Sequence, residues 1–236
     1  MTKITMNIQN NEGIMLLLDK PKEYTSAHIV NIVKKTLGVK KAGHSGTLDP
    51  KATGLMIVCT GKKTKSLNEL LGSDKEYEGV MVIGEKTRSF DTETEVFEKI
   101  PVSHITPEML VENTNIFKGE IGQLPPMYSA IKHKGKPLYK MARKGEELER
   151  SIRTVNIKEF EITGFNSPEV SFRVLCSKGT YIRTLVSDFG DKLGTAAYLN
   201  DLRRTKIGGY DIKDSLTLAG FLEQRKFIPA KAGIQT

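Results

Sequence analysis

Asp49 and His44 lie in a glycine-rich stretch whose residue types are suited to chemistry on a rigid loop. Residues 43–55, GHSGTLDPKATGL, contain three glycines, one histidine and one aspartate. Glycine tolerates positive φ and close backbone approach, and Asp-Pro commonly opens a turn. The apolar run at residues 55–59 predicts a buried strand directly afterwards. The sequence therefore predicts a fixed loop that presents a carboxylate, as catalytic loops do, although an aspartate that only starts a turn fits the same pattern.

Other side chains with chemical potential lie at the ends or on the faces of predicted elements, and they are Lys20, Tyr77, Tyr181 and Arg183. Two of them have ordinary alternatives, because Lys20 fits a surface lysine at a strand end and Tyr77 fits half-buried packing. An arginine exposed at the start of a helix is unfavourable for the helix dipole. We therefore expect Arg183 to have a role beyond helix stability.

The elements that must position these residues are strands and helices in mixed order. Strands are predicted at residues 14–18, 55–59, 75–84, 151–163 and 170–176, and helices at residues 26–37, 62–71, 107–117, 182–193 and 215–224. In the first helix, Ile29, Val33 and Leu37 have helical spacing, Thr25 or Ser26 can cap the start, and Gly38 stops it. Strands that follow one another as hairpins indicate an α+β fold with a mixed, largely antiparallel sheet and flanking helices.

Composition narrows the class of protein. The chain has 236 residues, two cysteines and a formal net charge of +8. A chain of this length can bury a core without disulfides, and Cys59 and Cys176 lie in apolar runs, which favours a reducing compartment. The scattered histidines and the lack of a Cys-x-x-Cys pair give no reason to expect a metal site. Because no signal peptide or membrane-length apolar run occurs, we expect a soluble cytoplasmic protein.

A basic stretch lies between residues 131 and 158, which contain nine lysines and arginines but only three glutamates. It follows QLPPMYSA at residues 123–130, and Leu138, Met141 and Ala142 give it a short helical apolar stripe. Positive charge clustered in one stretch favours contacts with nucleic-acid phosphates. A solvated basic surface is the alternative.

Several of these stretches together resemble one known family. The matching motifs are LDKP at residues 18–21, GHSGTLDPxAxGL at 43–55, KEYEG at 75–79, QxPPxYSAxK at 123–132, CSxGTYIR at 176–183 and YLNDLRRT at 198–205. The sequence is similar, over roughly residues 13–222, to the TruB family of pseudouridine synthases, which isomerise uridine 55 in the T-loop of tRNA. The resemblance implies the pseudouridine synthase fold with an inserted RNA-gripping arm.

The resemblance also implies catalytic roles for three residues. Asp49 matches the catalytic aspartate, Tyr77 matches a tyrosine that packs on the target base and can assist proton transfer, and Arg183 is expected to pair with Asp49 and keep it charged. Attack of the aspartate on the ring, attack on the sugar and abstraction of a sugar proton all remain open. The resemblance implies neither a metal nor an organic cofactor.

Further residues are implied in substrate binding. His44 is expected to fill the space left by the extruded base, Tyr181 and Leu202 to wall the flipped base, and Lys20 to lie near the active site. The arm, residues 123–153, is expected to contact the RNA backbone through Lys132, Lys134, Lys136 and Arg143. The implied partner is tRNA, bound at its T-arm and elbow by a monomer without an obligatory protein partner.

The sequence departs from the family pattern at two places. Residues 88–94, RSFDTET, keep Asp91 of a D-T-x-D-x-x-G pattern but lack its glycine, which leaves the geometry of this loop open. We expect a loosely held N-terminus at residues 1–12, a catalytic domain at 13–225, and a tail at 226–236 in place of a PUA-type domain. Two other functions remain possible at this point: a non-catalytic RNA-binding, tRNA-folding chaperone, and a synthase guided by a separate RNA and protein partners.

Overall fold

The structure is a computed structural model that describes residues 13–129, 131–133 and 135–224. The segments at residues 1–12 and 226–236, and Lys134 of the arm, lie outside the described residues. Strands among the described residues are β1 Met15–Lys20, β2 Ala42–His44, β3 Thr53–Thr60, β4 Lys75–Ile83, β5 Glu85–Thr87, β6 Val96–Lys99, β7 Gly119–Gln123, β8 Lys132–His133, β9 Lys136–Pro137, β10 Arg153–Asn166, β11 Glu169–Cys176, β12 Ala197–Ile207, β13 Tyr210–Asp211 and β14 Leu216–Thr217. Helices are α1 Ser26–Leu37, α2 Leu67–Gly72, α3 Pro107–Thr114, α4 Leu138–Ala142, α5 Ile182–Lys192 and α6 Leu218–Gln224.

The described chain divides into two compact units. The first unit consists of residues 13–73 and 203–224, and the second unit consists of residues 74–202. Most strand pairs within them are antiparallel, while β1 and β14 are parallel, as are β3 and the end of β12. The predicted α+β fold with a largely antiparallel, mixed sheet is therefore confirmed.

The first unit is organised around β1 and β3. Burial alternates along β1, so that Leu16, Leu18 and Lys20 are buried while their neighbours are partly exposed. Ile29 and Val33 of α1 join this core with Phe221 of α6. A lysine therefore continues the row of core leucines on β1.

Helix α1 has the boundaries that its sequence predicts. The Oγ1 of Thr25 accepts a hydrogen bond from the backbone N–H of His28 at 3.1 Å, which caps the first turn. Gly38 ends the helix with φ of 62°, a left-handed conformation that glycine adopts without strain. The sequence therefore predicts each end of α1 from the residues at that end alone.

In the second unit, four antiparallel strands pair in the order β4, β11, β10 and β7. The predicted hairpin of residues 151–163 and 170–176 is confirmed as β10 and β11. Phe160 is the centre of the core, because its ring lies within 5.4–6.3 Å of the rings of Phe117, Phe172 and Phe189. Phe189 belongs to α5, so these contacts fix that helix against the strands.

The polar segment at residues 87–95 connects a hairpin, β5 and β6, that the sequence did not predict. Its backbone is held by short polar side chains: Thr87 donates its hydroxyl to the carbonyl of Asp91 at 2.8 Å, and the hydroxyls of Ser89 and Thr94 lie 3.0 Å apart. Phe90 has φ of 61°, which is unusual for a bulky residue. The loop is therefore ordered although it lacks the glycine of the family pattern.

Two local expectations were wrong. Leu71 was expected to face inward, but it is 42% exposed, whereas Leu70 beside it is buried. The final helix was expected from residue 215, but Leu216–Thr217 forms the short strand β14 and the helix begins at Leu218. Within the described ranges, no helix has the length and hydropathy needed to cross a membrane.

Candidate active site

The loop that carries Asp49 connects β2 and β3 and is fixed by buried polar groups. At its start, Ser45 donates its N–H to the carbonyl of Ile57 at 3.0 Å, and the Oγ of Ser45 accepts from the N–H of Ile57 at 3.3 Å. Near its end, the hydroxyl of Ser26 accepts from the N–H of Leu48 at 2.9 Å and donates to the carbonyl of Leu48 at 3.1 Å. Asp49 follows directly and is partly exposed. The prediction of a fixed loop that presents a carboxylate agrees with these contacts.

Lys20 also stabilises the loop that carries Asp49. Its side chain is fully buried, and its ammonium donates to the carbonyls of Pro21 at 2.9 Å, Tyr24 at 2.8 Å and Pro50 at 3.2 Å. Three acceptors match the three donors of an ammonium. Burial lowers the pKa of Lys20 from 10.5 to about 8, and the negative charge of Asp49 opposes this shift. Lys20 thus joins the residue after Asp49 to the end of β1.

Arg204 is a residue of this group that the sequence did not single out. It is 1% exposed on β12, and its Nε donates to the carbonyl of Leu55 at 2.7 Å while its Nη2 donates to the carbonyl of Gly46 at 3.1 Å. These two carbonyls lie on either side of Asp49 in the chain. Arg204 therefore ties the start of the loop to the strand that follows it.

His44 lies at the start of the loop with a neutral ring. Its Nδ1 accepts a hydrogen bond from the N–H of Gly46 at 3.2 Å. Burial, and next the positive charge of Arg204, lower the pKa of His44 below its usual 6.5. An uncharged imidazole can stack on bases without the desolvation cost of an imidazolium.

Arg183 is the centre of the candidate group in the second unit, and it differs from expectation. It was predicted to be exposed at the start of α5, but it is 4% exposed. Its Nη1 donates to the carbonyl of Ser89 at 3.2 Å and its Nη2 to the carbonyl of Tyr128 at 2.8 Å, while its Nε lies 3.6 Å from Oδ2 of Asp91. The burial is possible because each of the three guanidinium nitrogens lies near an oxygen atom.

Tyr181 precedes Arg183 and is held by Gln123 of β7, another residue that the sequence analysis did not assign. The Gln123 side chain accepts from the N–H of Tyr181 at 3.0 Å and donates to its carbonyl at 3.2 Å. Tyr77 is 8% exposed and lies opposite Val174 in the sheet, and Leu202 is 8% exposed near the end of the unit. The second unit therefore holds Tyr77, Tyr181, Arg183 and Leu202, and the first unit holds Lys20, His44 and Asp49.

The expected RNA-backbone residues of the arm are only partly described. Lys136 is exposed, and Lys132 is described in its backbone alone. Arg143 is exposed and pairs with Glu93, with its Nη2 2.7 Å from the Oε1 of that carboxylate. The positive charge of Arg143 is therefore partly balanced within the protein. Among the described residues, no group of three or more His, Cys, Asp or Glu side chains could hold a metal ion.

Comparison with known proteins identifies the family. Residues 34–182 match the family model described as TruB family pseudouridylate synthase (N terminal domain), and residues 183–230 match the model described as tRNA pseudouridylate synthase B C-terminal domain. The chain belongs to the TruB family of pseudouridylate synthases. It is therefore an isomerase that makes pseudouridine.

Relatives match along most of the chain. A protein of Flavobacterium johnsoniae named tRNA pseudouridine synthase B is 48% identical over 219 residues, which is 90% of this chain and 96% of that protein. A protein of Phocaeicola vulgatus with the same name is 45% identical over 218 residues, which is 90% of this chain and 93% of that protein. The resemblance seen in the motifs is thereby confirmed.

Solved structures support the same fold. A chain of a Cbf5-Nop10-Gar1 complex is 31% identical with a TM-score of 0.72, and the match covers 92% of this chain and 55% of that chain. A chain of an H/ACA RNP bound to a substrate RNA containing 2'-deoxyuridine is 28% identical with a TM-score of 0.70, covering 93% of this chain and 55% of that one. The likeness confirms a pseudouridine synthase fold, and this chain spans about half the length of those two chains.

Proposed function

We propose that this protein converts uridine 55 in the T-loop of tRNA to pseudouridine, with Asp49 as the catalytic carboxylate. The observation that carries the proposal is the GHSGTLDP loop, which buried Ser26, Lys20 and Arg204 hold from both ends. Two relatives, matched over more than nine-tenths of their length, are named tRNA pseudouridine synthase B. This agreement supports tRNA as the substrate.

The reaction requires the C1′–N1 glycosidic bond to break, the uracil to turn, and a C1′–C5 bond to form as the C5 proton leaves. A carboxylate placed against the ring or the sugar can provide the charge or the nucleophile, and this is the role proposed for Asp49. Tyr77 stacks on the base and assists the transfer of the C5 proton. The overall change is an isomerisation, because the proton lost from C5 is balanced by a proton gained at N1 after the C1′–N1 bond has broken.

Arg183 is proposed to keep Asp49 ionised. A carboxylate in a site from which water is excluded would otherwise favour its neutral form. The contacts of Arg183 with two carbonyls and Asp91 hold its guanidinium in one orientation. Its pairing with Asp49 remains a prediction, which the variants Arg183→Lys and Arg183→Met test.

The target base lies in a folded loop of the RNA and must be extruded, at a cost of a few kcal/mol. His44 is proposed to fill the space that the base leaves, and its neutral ring suits it to stacking there. Tyr181 and Leu202 are proposed to wall the extruded base. Lys20 contributes by fixing the loop at Pro50.

The experiment that tests the proposal is an assay on a T-arm minihelix RNA with the purified protein alone. Pseudouridine is detected by carbodiimide mapping, and the expected result is modification at the position of uridine 55. Asp49→Asn should fold and bind the RNA normally, since only one charge is lost, and should form no pseudouridine. Asp214→Asn, an exposed aspartate of the first unit, is the matched control and should retain activity.

The outcomes separate the other functions. Residual turnover of Asp49→Asn within tenfold of the unsubstituted protein would rule out Asp49 as the catalytic group. Tight binding without any modification would favour a non-catalytic chaperone. Activity that appears only after addition of a second RNA or of protein partners would favour a guided synthase. It would contradict the expectation that this protein acts without an obligatory partner.

A further inference from the structure

The start of helix α5 departs from the way in which helices are usually capped. Its N-cap residue is Tyr181, whose side chain makes no capping hydrogen bond among the described residues. Ser, Thr, Asp and Asn are preferred at this position, because their short side chains accept hydrogen bonds from first-turn amides. In a capping box, a Glu or Gln at the third helical position accepts from the N–H of the N-cap residue. That position in α5 is Thr184, whose hydroxyl donates to the carbonyl of Leu124 at 3.5 Å, so the cap must come from another segment.

Gln123 supplies this cap from a distant segment. It is the last residue of β7, is 1% exposed, and lies 58 residues before Tyr181 in the chain. Its Oε1 accepts from the N–H of Tyr181 at 3.0 Å, and its Nε2 donates to the carbonyl of Tyr181 at 3.2 Å. The same carbonyl accepts from the N–H of Leu185 at 3.0 Å, which a carbonyl oxygen with two lone pairs allows. The Gln123 carboxamide therefore does for α5 what the glutamine of a capping box does, but from outside the helix.

Two further hydrogen bonds join the start of α5 to the base of the arm. Thr184 donates to the carbonyl of Leu124, and the Nη2 of Arg183 donates to the carbonyl of Tyr128 at 2.8 Å. The arm begins at Gln123, so the carboxamide belongs to the same set of contacts. The start of the helix and the base of the arm are therefore fixed to each other.

The use of a tyrosine where a capping residue is expected breaks a local rule, and such departures occur at functional sites. We propose that Gln123 is a positioning residue for the reaction: its carboxamide fixes the backbone of Tyr181, and thereby the ring that walls the extruded base. Catalysis tolerates little displacement of a group that orients the substrate. The inference rests on the proposed function, because that function supplies the extruded base.

The test is a double-mutant cycle between Gln123 and Tyr181. Gln123→Met keeps an unbranched side chain of similar length but removes both hydrogen bonds. At saturating T-arm minihelix RNA, we expect it to lower the single-turnover rate about tenfold or more and to leave RNA affinity nearly unchanged. In a Tyr181→Ala background, which lacks the ring to be positioned, the same substitution should lower the rate less than about threefold.

Thr114→Val is the matched control, because Thr114 is also buried in the second unit and its hydroxyl donates to the carbonyl of Val111 within α3. It should lower the urea midpoint of unfolding and leave the rate unchanged. Gln123→Glu keeps the acceptor for the N–H of Tyr181 and serves in the same cycle if Gln123→Met does not fold. Equal falls in rate in the two Tyr181 backgrounds would overturn the positioning role, because Gln123 would then act only on the fold or through another residue.

Hydrogen exchange of the Tyr181 amide, followed by NMR, gives a second readout that does not depend on activity. Exchange at this amide should become faster in Gln123→Met and stay unchanged in Thr114→Val. Pseudouridine formation together with additive rates or unchanged exchange contradicts the positioning role alone. Faster exchange in Gln123→Met, when the unsubstituted protein forms no pseudouridine, contradicts the proposed function alone.

Discussion

Arg183 shows how a buried charge can be both tolerated and useful. A buried guanidinium needs acceptors for its N–H groups, and Arg183 finds them in the carbonyls of Ser89 and Tyr128 and in Asp91. Because these partners come from separate segments, the side chain has little freedom to reorient. This rigidity suits a residue whose proposed function is to hold a carboxylate in one state.

Replacing Arg183 should lower turnover in steps. Arg183→Lys keeps the charge but loses the planar fork, so we expect about a tenfold fall in the single-turnover rate. Arg183→Met loses both, and we expect a fall of about 10²–10³-fold, as when preorganised donors are removed from other active sites. RNA affinity should change much less. Lys192→Met at the other end of α5 serves as the control, and a collapse of affinity with an unchanged saturated rate would instead make Arg183 a phosphate contact.

The lowered pKa of Lys20 predicts that the single-turnover rate changes with pH in the alkaline range. Its pKa is lowered to about 8 in the folded protein from 10.5, so the folded state releases this proton first as the pH rises. Between those two values the unfolded chain binds more protons than the folded one, and this group's contribution to stability rises with pH. The ammonium that donates to three carbonyls is nevertheless lost above pH 8.

We therefore expect the single-turnover rate to fall between pH 7 and 9, because deprotonation of Lys20 weakens its hydrogen bonding to the carbonyl of Pro50. Lys20→Met removes the titrating group, so its rate should be lower at pH 7 and nearly independent of pH over that interval. Rates are measured with saturating minihelix RNA at each pH. The same alkaline decline in Lys20→Met would assign the titration to another group.

At the scale of elements, β3 and β12 approach each other closely because of one glycine. Gly54 has φ of 109°, and a Cβ there would collide with the backbone of Arg204. The close approach brings the Arg204 side chain to the carbonyls of Leu55 and Gly46. The position of the Asp49 loop therefore depends on the lack of a side chain at Gly54, five residues after Asp49.

Gly54→Ala should destabilise the protein by about 2 kcal/mol or more, because it adds both backbone strain and a steric clash. The free energy of unfolding is measured by urea denaturation. Gly209→Ala is the matched control, since a Cβ at Gly209 meets nothing within 4 Å. Equal effects of the two substitutions would mean that the approach of β3 to β12 is easily adjusted.

Local patterns predicted the elements better than the contacts between them. Thr25 and Gly38 define the ends of α1 through interactions within a few residues, so the sequence is enough to find them. The burial of Arg183 and the role of Arg204 depend on carbonyls far away in the chain, and no spacing within a motif reports them. Gln123 was missed for the same reason. The motifs located the candidate site, while its supporting contacts required the structure.

At the scale of the whole molecule, the net charge of +8 is concentrated in the arm region. Neutralising Lys132, Lys134 and Lys136 to glutamine should weaken RNA binding and leave chemistry at saturating RNA unaffected, if their role is contact with phosphates alone. Each lost contact should reduce the slope of log K against log salt by about 0.7 for single-stranded RNA and nearer 0.9 for a duplex. Binding is measured at several salt concentrations.

A second triple variant, Lys34→Gln with Lys35→Gln and Lys40→Gln, removes the same charge near the end of α1. If the arm is the binding surface, this control should change the slope less. An unchanged slope in the arm variant would make the lysines a solvated surface. Arg143 is left out of the comparison because Glu93 already balances part of its charge.

The two cysteines of the chain are distributed one to each compact unit, and both side chains are fully buried. Burial raises the pKa of Cys176 to about 12 and also raises that of Cys59. Since the thiolate is the reactive form, an alkylating reagent can label either one only after its surroundings open. The rate of alkylation at each cysteine thus reports how often its own unit opens, which makes the native chain its own pair of probes for the separate stabilities of its two halves.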